Sequence, residues 1–199
     1  TMPPLPQRQF YALVDRFRLL EQGSDLDRMR KRKWAKARIA HKLIQEDRIQ
    51  ALTPNEAGEL YRSLPISQGK RSDFLDNPIE ELRESLWFLL YEELSYEMRV
   101  WEFLDDMGGY RLKGGDRSLA AALFFTREPS LYGLVNTNVE KGLRRLGMAP
   151  KYDSNESHAG RFQKVQEAVW QVQGMARFED FSVTDDFLEA LAKGMLDDA

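Results

Sequence analysis

The spacing of apolar residues along the chain is the feature that most restricts its fold. Phe10, Val14 and Phe17 recur at intervals of three and four residues, as on one face of an α-helix. Leucine is twice as common as isoleucine and valine combined, and the alternating runs typical of strands are scarce. We therefore predict an all-α fold of about eight amphipathic helices in a compact orthogonal bundle with a glycine-rich hairpin turn.

Capping signals predict where several helices begin and end. Gly23 is expected to end the first helix, and a longer helix is predicted from about Asp25 to Ala51. Thr53-Pro54-Asn55-Glu56 is a capping box with proline at the first helical position. Further N-caps are expected at Asn77, at Asn136 or Thr137, and near Thr184.

A polar, glycine-containing stretch marks the predicted domain boundary. Residues 67–73, Ser-Gln-Gly-Lys-Arg-Ser-Asp, have the composition of a loop. This stretch separates an N-terminal helical segment, residues 1–72, from a C-terminal helical domain, residues 73–199. The two segments either form separate units or are fused into one domain.

The composition excludes several classes of function. The chain has no cysteine, which rules out thiolate catalysis, iron–sulfur clusters and cysteine-ligated zinc. The two histidines, His41 and His158, are far apart in the sequence, so we expect no histidine-rich metal site and no cofactor. No apolar run approaches the roughly 18 residues of a membrane span, and no secretory signal is recognised. We expect a cytoplasmic protein without a membrane partner.

Neighbouring carboxylates are the only candidates for acid–base or metal chemistry. Such pairs occur at Glu80-Glu81, Glu92-Glu93, Asp105-Asp106 and Asp185-Asp186. Adjacent residues on a helix point about 100° apart, so they rarely share a proton or a metal. We expect these pairs to lie on solvated helix faces, and we assign no catalytic and no metal-binding residue.

A basic segment is hidden by the formal net charge of −3. No acidic residue occurs between Asp27 and Glu46, and a cluster of Lys and Arg can neutralise phosphates of DNA or RNA. Alternatively, acidic stretches around Glu80–Glu93 and Glu179–Glu189 compensate the cluster inside the fold. The cluster consists of Arg28, Arg30, Lys31, Arg32, Lys33, Lys36, Arg38 and Lys42.

The region from Met107 to Met148 resembles the helix-hairpin-helix DNA glycosylases. That family places a hairpin of the type Gly-x-Gly-Arg-Lys-Thr-Ala before a loop ending in Val-Asp-Thr-His-Val. Here Gly114-Gly115-Asp116-Arg117-Ser118-Leu119-Ala120 precedes Val135-Asn136-Thr137-Asn138-Val139 at a matching distance. The likeness continues through Gly142, Leu143, Arg145, Leu146 and Gly147.

The chain departs from that family at the positions of the catalytic residues. The family's catalytic aspartate matches Asn136, and the hairpin lysine of its bifunctional members matches Ser118. An amide cannot act as a carboxylate base, and an unassisted serine cannot form a Schiff base. The resemblance therefore implies that binding remains without glycosylase chemistry. A glycine turn that opens a helix offers N–H groups to a phosphate, although Asp116 can equally cap that helix.

These observations leave three functions open. The first is a non-catalytic nucleic-acid-binding module that forms part of a DNA-processing or defence system. Residues 132–146 also resemble helical accessory domains of restriction-type AAA+ systems, although the chain has no Walker motif. The second is a scaffold domain whose basic helix docks an acidic protein, and the third is an enzyme with an unrecognised carboxylate site. The predicted nucleic-acid contacts are Arg28, Arg30, Lys31, Arg32, Lys33, Lys36, Arg38, Arg111, Lys113, Gly114, Gly115, Arg117, Ser118, Asn136 and Asn138.

Overall fold

The computed structural model describes residues 4–197 and confirms the all-α prediction over that range. The described part contains twelve α-helices and one 3-10 turn, Gln68–Lys70, so the predicted number of about eight is too low. None of the described helices is both long enough and apolar enough to cross a membrane. The helices are α1 (Gln7–Gln22), α2 (Asp27–Trp34), α3 (Ala37–Leu43), α4 (Glu46–Gln50), α5 (Pro54–Ser63), α6 (Arg71–Leu75), α7 (Ile79–Tyr91), α8 (Tyr96–Leu104), α9 (Arg117–Arg127), α10 (Thr137–Arg145), α11 (His158–Ala176) and α12 (Phe181–Ala192).

The single long helix predicted from Asp25 to Ala51 is wrong, because α2, α3 and α4 occupy this segment as three short helices. Between α3 and α4 the helix is interrupted at Gln45, whose backbone adopts a non-helical conformation with φ −58° and ψ 148°. Its side-chain amide donates to the carbonyl of His41 at 2.9 Å. This bond satisfies one of the carbonyls that the end of α3 leaves without a helical partner.

Local capping signals give mixed results. The Thr53 capping box is present, Gly23 follows the last residue of α1, and Asn136 caps α10 by accepting from Val139 N at 2.9 Å. The predicted caps at Asn77 and Thr184 are wrong. Pro78 precedes α7 directly, and Asp180 caps α12 by accepting from the backbone N–H groups of the first turn.

One continuous core of buried side chains includes residues from both sides of the predicted boundary at 67–73. An aromatic cluster joins α1 to α12, where the Phe17 and Phe187 rings meet edge to face with centroids 5.5 Å apart. Phe178, in the turn before α12, contacts both rings at centroid distances below 6 Å. Such edge-to-face pairs add to the stabilisation that area burial provides.

Helix α12 is the most deeply buried helix of the fold, since every residue from Thr184 to Ala192 is buried. It packs very closely on α10. A Cβ atom at Gly142 would lie 2.5 Å from the carbonyl oxygen of Leu188, so only glycine permits this approach. The three acidic residues of α12, Asp185, Asp186 and Glu189, are therefore carried into the interior.

Candidate nucleic-acid interface

The basic cluster divides into an inner and an outer set of side chains. Because a helix turns 100° per residue, Met29 and Lys33 share the face of α2 that is turned to the protein. Arg28 and Lys31 are exposed and lie away from that face. The two sets have different surroundings and serve different purposes.

Lys33 is the centre of the inner set. Its side chain is 11% exposed, and its Nζ lies 2.7 Å from Asp185 Oδ2. The same ammonium group is 2.6 Å from Asp186 Oδ1 and 3.0 Å from Glu189 Oε2. A buried charge is tolerated when opposite charges and hydrogen bonds surround it. One lysine of α2 thus holds all three buried carboxylates of α12.

Further donors complete this buried ionic cluster. Arg30 bridges α1 and α12, with its Nε 2.9 Å from Asp186 Oδ2 and an Nη 2.6 Å from Glu21. Arg32 places an Nη 2.8 Å from Glu189 Oε1. The indole N–H of Trp34 donates to Asp186 Oδ1 at 3.2 Å. The acidic stretch around Glu179–Glu189 therefore compensates Arg30, Arg32 and Lys33 inside the fold.

The pKa values in this cluster reflect burial and mutual attraction. Burial by itself lowers the pKa of Lys33, but the attraction of Asp185 and Asp186 outweighs it and raises the pKa above the ordinary lysine value. Burial raises the pKa of the Asp185 carboxyl, and Lys33 offsets part of that effect. For Glu189, burial also acts to raise the pKa, but Lys33 and Lys193 bring it below the ordinary value.

The expectation that paired carboxylates are solvated is confirmed for Glu80-Glu81 and wrong for Asp185-Asp186. It is also wrong for Asp105, which is buried. The Asp105 carboxylate accepts from the backbone N–H groups of His158 and Ala159, at 3.1 and 3.2 Å, at the start of α11. Asp105 therefore has a structural role, because it satisfies two N–H groups that have no helical partner.

The outer set has no such compensation. Its five cations are all exposed, and none forms an ion pair or a side-chain hydrogen bond with any residue between 4 and 197. The exposed surface that they provide includes parts of α2, α3 and the short link between them, where Lys36 lies. We call it the basic face, and it consists of Arg28, Lys31, Lys36, Arg38 and Lys42.

The glycine turn, residues 113–116, packs against the protein's own backbone. Asn77 Oδ1 accepts from Lys113 N at 3.0 Å, and its Nδ2 donates to Lys113 O at 2.9 Å. Gly114 has φ +71°, and a Cβ there would lie 2.9 Å from Phe74 N. Gly114 is thus required both by its left-handed conformation and by the close approach of α6. Gly115 adopts an ordinary φ and stands next to the cap of α9.

The cations around this turn each have a carboxylate nearby. Lys113 lies 2.8 Å from Asp76, and Arg111 and Arg117 lie 3.7 and 3.6 Å from Asp106 and Glu140. Asp116 caps α9 by accepting from Leu119 N at 2.9 Å. This part of the predicted site is therefore less available to a phosphate than the basic face.

Five residues of the predicted site line a cavity of about 850 Å³. Ser118 and Asn136, which match the family's catalytic positions, both line it, as does Asn138. Arg32 and Lys33 also reach its wall, so the cavity adjoins the basic helix. The other residues of the predicted site are outside the lining.

Sequence reasoning missed several residues of this region. Arg62 and Lys70, from one stretch of the chain, and Glu189, from α12, line the cavity. One signal for the buried ionic cluster was present. Asp185 and Glu189 occur in a helix with apolar residues on every side, and a long basic segment elsewhere had no local acid to balance it.

No catalytic constellation is evident among residues 4–197. Their histidines, aspartates and glutamates include no group of three or more that is arranged to hold a metal ion. The acids nearest the cavity form ion pairs with Lys33, Arg32 and Lys70.

No family model, curated protein or solved structure matches this chain.

Proposed function

We propose that this chain is a nucleic-acid-binding helical module that contacts the phosphate backbone of DNA or RNA through the basic face. The single observation that supports this most is the set of five exposed cations between Arg28 and Lys42 that form no ion pair with any described residue. Phosphate neutralisation by such side chains releases condensed counterions and supplies most of the sequence-independent affinity. The inner cations hold the helix in place, and the outer ones remain available to the ligand.

The resemblance to the helix-hairpin-helix glycosylases is part of this proposal. It implies a DNA-processing or defence role without glycosylase chemistry, and the proposal also includes an orthogonal arrangement of helices and a cytoplasmic location. It is supported by the position of Ser118 and Asn136, which match the family's two catalytic positions and line the same cavity. Asn136 keeps the helix-capping role but lacks the carboxylate.

One observation favours the alternative, a scaffold domain that docks an acidic protein. Ile39 lies between the cations of α3, and 39% of its surface is exposed. An apolar side chain among charges is common in protein interfaces and contributes nothing to phosphate binding. Measuring whether the chain binds purified nucleic acid distinguishes the two functions.

The test is binding of labelled duplex and single-stranded DNA and RNA to the wild-type chain and to two triple variants. The first carries Arg28→Glu, Lys31→Glu and Lys42→Glu. The matched control carries Arg8→Glu, Arg144→Glu and Lys151→Glu, which are also exposed and outside the basic face. Arg30 and Lys33 are left unchanged because their partners are buried.

We expect the first variant to lose at least tenfold in affinity and the control to lose much less, with both proteins folded by circular dichroism. Absence of nucleic-acid binding by the wild-type chain would favour the scaffold alternative. Equal losses in the two variants would mean that only the net charge matters, and the basic face would not be the site.

A further inference from the structure

The cavity beside the basic helix is built from five separate parts of the chain. Residues 61–70 contribute the end of α5 and the 3-10 turn, and residues 116–118 contribute the start of α9. Residues 134–138 contribute the start of α10, and Arg32, Lys33 and Glu189 close the remaining wall. At about 850 Å³ it is large enough for a small organic ligand, since such sites typically measure about 300–1,000 Å³.

Positive charge dominates the lining. Four cations face two carboxylates, and two of the cations, Arg32 and Lys33, are already paired with Glu189 in the buried ionic cluster. Arg62 is exposed and forms no ion pair with any described residue. Lys70 is exposed as well and lies 2.9 Å from Asp116. The cavity therefore favours an anionic ligand, with Arg62 as the group best placed to bind it.

Two asparagines give the lining a specific hydrogen-bonding pattern. Asn136 Oδ1 accepts from Val139 N at 2.9 Å, which fixes the amide orientation and leaves its Nδ2 without a hydrogen bond to any described residue. Asn138 Nδ2 donates to Glu189 Oε1 at 3.1 Å, and its Oδ1 accepts from no described residue. The lining thus offers one amide donor and one amide acceptor, and a nucleobase edge carries groups that can pair with each of them.

Much of the remaining lining is apolar or aromatic, and Ser67, Gln68, Ser118 and Thr137 add polar groups to it. Tyr61 and five aliphatic residues line the wall, and such side chains can cover the face of a planar ring. Ligand sites of this kind combine an apolar surface with a few polar groups that fix orientation. The aliphatic residues are Leu64, Pro65, Ile66, Leu134 and Val135.

We propose that this cavity binds a nucleoside monophosphate, with the phosphate at Arg62 and Lys70 and the base edge at Asn136 and Asn138. The ligand is either a free nucleotide or the 5′-phosphorylated end of a strand, because both present the same chemistry. The inference does not rest on the proposed function, since the basic face is a different surface made of other residues.

Titration calorimetry of the full chain tests the inference with named probes. These are the four common ribonucleoside 5′-monophosphates, the corresponding nucleosides, inorganic phosphate, and a trinucleotide with and without a 5′-phosphate. We expect at least one monophosphate to bind about tenfold more tightly than its nucleoside or phosphate alone, because both ends contribute. Equal binding of the 5′-phosphorylated trinucleotide identifies a strand end, and its failure to bind identifies a free nucleotide.

Three variants locate the site. Arg62→Ala should weaken the monophosphate about tenfold, whereas Arg144→Ala, an equally exposed arginine outside the cavity, should leave it unchanged. Asn136→Ser keeps an oxygen that caps α10 but removes the amide Nδ2 group and its longer reach, so it should weaken the monophosphate and leave inorganic phosphate unaffected.

The inference is overturned if no monophosphate binds at millimolar concentration, if phosphate alone binds equally well, or if the Arg62 and Arg144 variants behave alike. These results are independent of the basic face. Loss of oligonucleotide binding on reversal of Arg28, Lys31 and Lys42, without any monophosphate binding, would leave the proposed function intact and remove only the cavity site.

Discussion

Lys33 of α2 and Asp185 of α12 are joined by a 2.7 Å contact between their charged groups, and both side chains are almost wholly buried. The two residues are far apart in the sequence, and their contact holds the basic segment against the acidic helix α12. Removing one partner from a buried ion pair leaves an uncompensated charge in the interior. The contact therefore fixes the position of α2 and with it the orientation of the basic face.

Lys33→Met should destabilise the protein strongly, because Asp185, Asp186 and Glu189 would lose their shared cation. We expect a loss of about 3–5 kcal/mol in the free energy of unfolding at neutral pH, as for other broken buried pairs. Lys31→Met on the exposed face of the same helix is the matched control and should cost less than about 0.5 kcal/mol. Urea denaturation measures both, and equal small losses would show that the buried contact contributes nothing.

The stabilisation that Lys33 provides should decrease at alkaline pH. Its folded-state pKa lies above the ordinary lysine value, so its stabilisation is complete below the unfolded pKa and is lost as pH rises through the folded pKa. The difference in unfolding free energy between the wild-type chain and Lys33→Met should fall by about 1.4 kcal/mol for each pH unit above about 10.4. Denaturation at about pH 9 and about pH 11 checks this, and a constant difference would contradict it.

Gly142→Ala should destabilise the packing of α10 on α12. Its Cβ would lie 2.5 Å from the Leu188 carbonyl, so the helices must move apart at a cost of about 1–3 kcal/mol. Gly174→Ala within α11 is the control, because a Cβ there meets no atom within 4 Å. That change should stabilise the protein by about 0.5–1 kcal/mol through helix propensity. A neutral Gly142→Ala in thermal unfolding would mean that the two helices pack less closely.

We expect the chain not to release bases from damaged duplex DNA. Asn136 uses its side-chain oxygen to cap α10, and Ser118 has no amine, so neither supplies the chemistry of the resembled family. Gel analysis after incubation with duplexes that contain uracil or 8-oxoguanine is the measurement. Robust base release that is abolished by Glu189→Gln in a folded protein would instead identify an enzyme that uses the carboxylate of the cavity.

Local signals were sufficient to predict part of the fold. The Phe10, Val14 and Phe17 spacing gives α1, and the caps at Thr53 and Asn136 have the predicted geometry, because each depends on neighbours within four residues. The role of Asn77 could not be predicted from its neighbours in the sequence. Its side chain binds Lys113, 36 residues further along the chain, and no local pattern indicates that partner.

The sequence also indicated only part of the candidate site. Ser118 and Asn136 were singled out by resemblance and do meet at one cavity. The sequence showed that the basic segment needed compensation, but not which of its cations receive it. That choice depends on the rotation of α2 against α12, which places Lys33 inward and Lys31 outward.

The salt dependence of nucleic-acid binding tests the central claim most directly. If the basic face contacts phosphates, the logarithm of the association constant should fall linearly with the logarithm of salt concentration, with a slope of about −0.9 per phosphate neutralised on duplex DNA. We predict that reversing Arg28, Lys31 and Lys42 reduces the magnitude of this slope by about 2–3 units, whereas the control reversal of Arg8, Arg144 and Lys151 leaves it nearly unchanged. A slope that is the same in all three proteins would contradict the assignment of the basic face as the nucleic-acid interface.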